Sequence, residues 1–168
     1  DPGLADAMRS ADAVVAYRVP ATDRIIDLLD ETRAKGVPVV FDVDDLIVDP
    51  TVESDIPALR LQSEEENALW RRGIHRYRTT LEHCDAYSGS TAPLVAHIGA
   101  LTGMPSFVKA NHYGTHLARH SDAARRRART PGPVRIGYFS GTTTHDEDLH
   151  HVVPALVHTL EAVPDAEV

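Results

Sequence analysis

Short apolar runs alternate with longer amphipathic segments along most of this chain. The runs are rich in β-branched residues, which favour strands, whereas the segments between them repeat apolar residues every three or four positions, as helices do. A strand, a helix and a second strand joined by short connections form a βαβ unit, whose strands pair in parallel. The pattern therefore predicts an α/β fold with parallel sheets and flanking helices. The predicted strands are residues 13–17, 37–42, 84–88, 106–109 and 134–139.

Capping residues mark where the helices should begin and end. The candidates at the amino ends are Thr22 or Asp23, Ser63 with Glu66, Ser90 or Thr91, and Thr144 with Glu147, and the stop signals are Gly36 and Gly103. These signals predict helices over 23–35, 63–83, 91–101 and 118–129, and a last helix that ends at Pro164. Pro154 lies inside the last helix and should kink it or delay its start. Residues 51–57 are predicted to be a loop, and strands 13–17 and 37–42 to be buried, the latter on both faces.

Composition narrows the classes of protein that the chain could belong to. Its 168 residues suffice for one domain or pieces of two, and a net charge of -8 argues against nucleic acid as a partner. The single cysteine, Cys84, predicts a buried structural thiol and a reducing, cytoplasmic compartment. No apolar run is long enough to span a membrane. The chain starts without Met and stops where a strand is predicted to begin, so we expect a fragment of a longer protein.

Three carboxylates stand at the end of the apolar run 37–41, where ligands bind in open parallel sheets. They are Asp42, Asp44 and Asp45. The sequence here resembles the first motif, Asp-x-Asp-x-Thr, of haloacid-dehalogenase-type phosphohydrolases, although Leu46 stands in the Thr position. That resemblance implies that Asp42 attacks phosphorus, that Asp44 is an acid/base, and that both help to hold magnesium. The alternative is that the three acids bond to loop amides and neighbouring arginines.

A second candidate site lies where the predicted strand 134–139 passes into the last helix. A strand, a Gly-containing turn and a hydroxyl-rich helix start can offer backbone amides to a phosphate group. The candidate residues for phosphate binding are Ser140, Gly141, Thr142, Thr144 and His145. The histidines that follow have poor spacing for one metal site on one helix face, so no metal is expected. The polar stretch 111–133 ends in Thr-Pro-Gly-Pro and is predicted to connect two domains.

The order of these segments resembles that of glycosyltransferases of the GT-B fold, in the large group 1, or family four, class. The resemblance is carried by Val-Val-Phe-Asp-Val-Asp-Asp-Leu at 39–46, by Cys-Asp-Ala-Tyr-Ser-Gly-Ser-Thr at 84–91, by the strand leading to Asn111, and by Arg-Ile-Gly-Tyr-Phe-Ser-Gly-Thr at 135–142. It implies that residues 1–112 are the latter part of an acceptor-side, Rossmann-like domain and that 113–133 are a connector. Residues 134–168 would then be the first βα unit of a donor-side, Rossmann-like domain. The GT-B-like fold would then be incomplete in this chain.

This resemblance implies transfer of a sugar from a nucleotide-sugar donor to a carbohydrate or lipid-linked acceptor, as in polysaccharide biosynthesis. The residues from Ser140 to His145 would lie near the donor phosphates, and Asp42, Asp44, Asp45 and Asn111 would line the edge of the cleft. Many members carry Arg where Tyr138 stands, and Lys in the next turn, so the fragment is expected to be inactive alone. No cofactor or metal is implied, and peripheral membrane association of the full-length protein is compatible with the class. A non-enzymatic α/β binding module, similar in layout to receiver domains, is the third alternative.

Overall fold

The computed structural model describes residues 2–127, 132–139 and 146–168. The chain divides into two compact units, one made of residues 1–53 and 63–112 and the other of residues 54–62 and 113–168. The first unit contains α1 (Pro2–Ser10), β1 (Val14–Tyr17), α2 (Asp23–Ala34), β2 (Val39–Asp42), α3 (Glu64–Glu82), β3 (Ala86–Gly89), α4 (Ala92–Thr102) and β4 (Ser106–Val108). The second contains α5 (Thr115–Arg126), β5 (Val134–Arg135), α6 (Asp146–Ala162) and β6 (Ala166–Glu167).

Four strands of the first unit form one parallel sheet in the order β1-β2-β3-β4. Tyr17 lies opposite Asp42, Asp42 opposite Ser88, and Ser88 opposite Phe107, so the carboxyl ends of the strands are level. The prediction of an α/β fold with a parallel, Rossmann-like sheet and flanking helices is confirmed.

One face of this sheet is covered by helices. Alternate residues of a strand point to the same face, and Ala16, Val39, Phe41 and Tyr87 share one face by their register. Side chains from α2, α3 and α4 pack against them in a single buried cluster. The residues that these helices contribute are Leu29, Leu81 and Ile98. The core of the first unit therefore lies between the sheet and these three helices.

The other face of the sheet is more open than the sequence predicted. Val15 is 60% exposed and Tyr17 is 56% exposed, so the prediction that strand 13–17 is buried was wrong. Val40 is only half-buried, so the strand at 37–42 is not fully buried on both faces either. The physical reason is that β1 is an edge strand of the described sheet, and that the clustered helices cover only the side facing Phe41.

Three of the four predicted amino-terminal helix caps are confirmed by their hydrogen bonds, and the fourth, at Thr144, lies outside the described residues. The Thr22 side chain accepts from the Ile25 amide, and Thr91 accepts from the Leu94 amide. Ser63 and Glu66 form a complete capping box at the start of α3. Gly103 ends α4 with a left-handed backbone (φ 70), which a residue with a side chain would adopt at a cost.

Several predicted boundaries moved for identifiable reasons. Residues 51–57 are not a plain loop, because two short 3-10 helices, Pro50–Asp55 and Pro57–Leu61, begin there, each with a Pro that presets its first turn. The strand expected at 84–88 begins at Ala86, since the Cys84 amide still donates to Leu81 at the end of α3. The strand expected at 134–139 is only Val134–Arg135, because its partner β6 has two residues. Pro154 lies inside α6 without delaying its start at Asp146.

Two further helix predictions differ in detail. The helix expected over 118–129 occupies Thr115–Arg126, because Gly114 takes the N-cap position. The apolar repeat of the helix over 91–101 predicts that Leu101 faces inward, but Leu101 is 37% exposed.

The second unit has a small sheet of its own. β5 pairs in parallel with β6, and neither belongs to the four-stranded sheet. The assignment of 113–133 as a connector and of 134–168 as a donor-side domain stays a prediction. None of the described helices is long and apolar enough to cross a lipid bilayer.

Cys84 is buried, as expected for a structural thiol. Burial, with the Asp85 carboxylate adding a smaller effect, raises the pKa of the thiol to about 12. The thiol also lies 3.2 Å from the Thr80 carbonyl oxygen, to which it can donate. Cys84 is therefore protonated at neutral pH and unreactive as a nucleophile.

Two glycines of the first unit should respond oppositely to alanine. A Cβ on Gly89 would lie 2.9 Å from Cζ of the buried Tyr87 ring, whereas a Cβ on Gly73 in α3 would meet nothing within 4 Å. We expect Gly89→Ala to lower the free energy of unfolding by about 1–3 kcal/mol through overpacking. Gly73→Ala should raise it by about 0.4–1 kcal/mol. Urea unfolding of both variants tests this pair, and equal effects would contradict the packing described at Tyr87.

Candidate functional site

Polar side chains from all four strands of the first unit gather at the carboxyl edge of its sheet. Arg18 follows β1, Asp42 ends β2, Ser88 lies near the end of β3, and Lys109 follows β4. Backbone bonds hold these positions level, since the Arg18 amide donates to the Asp42 carbonyl and the Lys109 amide donates to the Gly89 carbonyl. We call Arg18, Asp42, Asp44, Asp45, Ser88 and Lys109 the edge cluster.

Asp42 is the buried member of the edge cluster, with 4% of its surface exposed. Its Oδ2 accepts a hydrogen bond of 2.6 Å from the Ser88 hydroxyl and lies 3.1 Å from Nζ of Lys109. Hydrogen bonds to a charged group are stronger than hydrogen bonds between neutral groups, and a buried carboxylate needs them to offset its lost hydration. The carboxylate is therefore held in one orientation by donors at the carboxyl ends of β3 and β4.

Arg18 joins the two outer carboxylates of the edge cluster. Its Nη1 lies 3.3 Å from Asp44 Oδ1 and 2.9 Å from Asp45 Oδ2. Burial lowers the pKa of Arg18, but the charges of Asp45 and Asp44 outweigh it, and the net shift is upward. Arg18 also has a positive φ of 47, which is uncommon for a residue other than Gly. This backbone turn aims the guanidinium across the end of the sheet.

The buried side chain of Tyr87 stabilises the segment that carries the acids of the edge cluster. Its ring is fully buried, and its hydroxyl donates to the Val43 carbonyl at 3.0 Å. Burial raises the pKa of Tyr87 to about 12, with the negative charges of Asp42 and Asp44 contributing in the same direction. The phenol therefore stays neutral and acts as a fixed hydrogen-bond donor for the segment that carries the acids.

A second buried carboxylate, that of Asp49, links the segment after β2 to α4. Asp49 is 2% exposed, and its Oδ1 accepts from the Thr51 amide at 2.9 Å and from the Thr51 hydroxyl at 2.7 Å. Its Oδ2 lies 2.7 Å from Nε2 of His97. Burial raises the pKa of Asp49, but the bonds from Thr51 and His97 outweigh it and leave the pKa below its usual value. The Ser90 hydroxyl also holds this segment, because it donates a hydrogen bond of 3.3 Å to the Asp44 carbonyl.

The edge cluster presents carboxylates and positively charged side chains next to one another. Carboxylates accept hydrogen bonds, whereas Arg and Lys donate them, so the cluster offers both functions side by side. Among the described residues there is no group of three or more metal-ligating side chains arranged to hold an ion. The cluster is therefore suited to a ligand that has both donors and acceptors, such as a polyol, or to an anion that competes for Arg18 and Lys109.

The structure locates four of the predicted site residues. Asp42, Asp44 and Asp45 lie together at the carboxyl edge, as the strand pattern predicted, and each pairs with a cation. Asn111 lies beyond the end of β4 and is exposed. Ser140, Gly141, Thr142, Thr144 and His145 lie outside the described residues, so the phosphate-binding role stays a prediction for all five.

Sequence reasoning missed the two cations of the edge cluster and the contact between Asp49 and His97. A signal existed for Arg18 and Lys109, since each directly follows or ends a predicted strand and so lies at the same edge as the acids. Ser88 carried the same signal near the end of β3. No sequence signal pointed to Asp49 and His97, because 48 residues separate them and only the path of α4 brings them together.

Comparison of this chain with protein-family models, with curated proteins and with solved structures found no match.

The two cations of the edge cluster should differ in their effect on stability. Lys109→Met leaves the buried Asp42 carboxylate without its counter-charge, and we expect a loss of about 1–3 kcal/mol in the free energy of unfolding. Arg18→Gln breaks half-exposed pairs and should cost less than about 1 kcal/mol. Urea unfolding at neutral pH measures both. A larger loss for Arg18→Gln would show that the outer pairs carry the stability of this edge.

Asp49 should give the protein a distinct sensitivity to acid. A carboxylate whose pKa is lowered by folding stabilises the protein fully above its unfolded pKa, about 3.9 for Asp. This contribution is lost as the pH falls through the lower pKa of the folded state. The free energy of unfolding should therefore fall less steeply from about pH 5 to pH 3 in Asp49→Asn than in the wild type. Urea unfolding at several pH values through that range measures this difference. The slope for Thr51→Val should lie between those of the wild type and Asp49→Asn. Parallel curves for the wild type and Asp49→Asn would contradict the lowered pKa of Asp49.

Proposed function

We propose that this chain is part of a glycosyltransferase and that the edge cluster belongs to its acceptor side. The observation that carries the proposal is the convergence of Arg18, Asp42, Asp44, Asp45 and Lys109 at the carboxyl edge of one parallel sheet. That edge is where open α/β sheets bind their ligands. The order of segments that resembles GT-B glycosyltransferases of group 1, or family four, supports the same assignment.

The edge cluster has the bonding capacity that a sugar acceptor requires. Each sugar hydroxyl both donates and accepts, so it fits between a carboxylate and a cation. Asp44, Asp45, Arg18 and Lys109 remain partly open to solvent and can exchange their mutual bonds for bonds to a ligand. Asp42 is buried and held by Ser88, so it positions Lys109 and does not itself need to contact the ligand.

The donor side of the proposed reaction would involve the second unit. A nucleotide-sugar loses its diphosphate as the new glycosidic bond forms, and backbone amides at the start of a helix can stabilise the departing charge. Ser140, Gly141, Thr142, Thr144 and His145, which come before α6 in the sequence, remain the candidates for that task. The separate β5–β6 sheet supports the layout in which these residues open a different domain from the edge cluster.

The phosphohydrolase is a second candidate because one observation favours it. Asp42 has the donors Ser88 and Lys109 beside it, and such donors could also hold a phosphate against a carboxylate nucleophile. Against it, Asp42 is almost fully buried, and Asp44, which would hold magnesium together with Asp42, is already paired with Arg18. The glycosyltransferase assignment avoids this conflict because it needs neither an exposed Asp42 nor a metal.

Ligand titration of the chain by NMR would test the proposal. We expect glycan acceptors to shift the amides of Arg18, Asp44 and Lys109, and Asp44→Asn to weaken this binding at least about tenfold, as expected for loss of a charged hydrogen-bond partner. The matched control is Asp27→Asn, which removes an exposed carboxylate from α2 and should leave binding unchanged.

Three other outcomes would overturn the proposal. Magnesium-dependent hydrolysis of a phosphomonoester, lost in Asp42→Asn, would establish the phosphohydrolase. Binding of a protein or small cation at the edge cluster, without any response to sugars, would indicate a non-enzymatic module. Sugar binding that persists unchanged in Asp44→Asn and in Lys109→Met would place the acceptor site elsewhere.

A further inference from the structure

Two histidines lie side by side on the outer surface of α5 in the second unit. His116 and His120 are four residues apart, and this spacing brings side chains onto the same face of a helix. Both residues are exposed. Their rings meet edge to face, with the ring centres 4.3 Å apart and the ring planes inclined at 66°. The two Nε2 atoms are 3.1 Å from each other.

The separation of the two Nε2 atoms is that of neighbouring ligands around a transition-metal ion. Nitrogen ligands lie about 2.0–2.1 Å from zinc, and nitrogens 3.1 Å apart at that radius enclose an angle of about 100° at the ion. This value lies between the angles of octahedral and tetrahedral coordination. Without an ion, the two nitrogens can share only one hydrogen bond, in which one ring donates and the other accepts. Binding an ion would let both lone pairs be used.

The donor set determines which ion would bind. Imidazole nitrogens suit zinc, nickel and copper, whereas magnesium and calcium prefer oxygen ligands. Among the described residues no third ligating side chain joins the pair, so the remaining positions would be open to water or to an added ligand. The nearest histidine in the chain, His112, lies before the helix and is oriented toward the Ala110 carbonyl.

We propose that His116 and His120 form a binding site for one divalent transition-metal ion, with two protein ligands and open positions. The site is independent of the proposed glycosyltransferase function, because it lies on α5 and uses none of the residues of the edge cluster. An ion held by both rings would bind only when α5 is helical. It would therefore stabilise that helix, by an amount that grows with the logarithm of the free ion concentration once the ion is in excess of its dissociation constant.

Calorimetric titration of the tag-free chain with nickel, zinc, copper and magnesium chloride tests the proposal. We expect one ion per chain, with copper bound more tightly than nickel or zinc and no response to magnesium. His116→Ala and His120→Ala should each weaken nickel binding at least about tenfold, a loss that even outer partners of metal ligands can cause. Alanine favours helix, so these losses would not reflect unfolding of α5, and circular dichroism verifies this.

Two control variants make the test specific to the spacing of the pair. His151→Ala removes an exposed helical histidine from α6 and should leave nickel binding unchanged. His120→Ala combined with Ser121→His keeps two histidines on α5 but places them five residues apart, and should bind no better than His120→Ala. The copper-loaded protein should show two coupled nitrogens in its electron paramagnetic resonance spectrum. Unchanged binding in the double variant His116→Ala/His120→Ala, or equal loss in His151→Ala, would overturn the proposal.

Discussion

The buried carboxylate of Asp42 is the constraint on which the carboxyl edge of the sheet depends. A charge removed from water must be compensated, and here the compensation comes from Ser88 on β3 and Lys109 after β4. Neither donor would reach Asp42 if β3 or β4 paired in another register, because a shift of one residue turns every side chain to the opposite face. The order of the strands and the composition of the edge cluster thus both meet one requirement, which is to compensate the buried charge of Asp42. Arg18 extends this requirement to β1, because its backbone amide donates a hydrogen bond to the Asp42 carbonyl.

A similar constraint acts at the other end of the same sheet, where the strands begin. The Asp85 carboxylate accepts a bond of 2.9 Å from the Val39 amide, and it pairs with Arg33 at the end of α2 at 2.7 Å. Burial raises the pKa of Asp85, but these two partners outweigh it and lower the pKa overall. The start of β2 is therefore held by a charged group from the connection into β3. With Asp42 at its other end, β2 is fixed at both ends by carboxylates.

Local features of the fold were predictable from the sequence, and features that depend on distant partners were not. Ser63 caps α3 through bonds to residues three positions away, so its role can be read from spacing alone. The exposure of Val15 depends on what covers the second face of the sheet, which no local pattern encodes. The acids of the candidate site were found because they follow an apolar strand, whereas the Asp49–His97 pair exists only because the segment after β2 runs beside α4.

The order of the sheet also has a kinetic consequence. Each strand pairs with its neighbour in the chain, so the contact order is low for an all-parallel sheet and its assembly can proceed one βα unit at a time. The connection from β2 to β3 is the longest of the three, since it carries both 3-10 helices and α3. Closing it has the largest loop entropy cost. The same closure brings Ser88 to Asp42, so the edge cluster takes shape in the most demanding step of sheet formation.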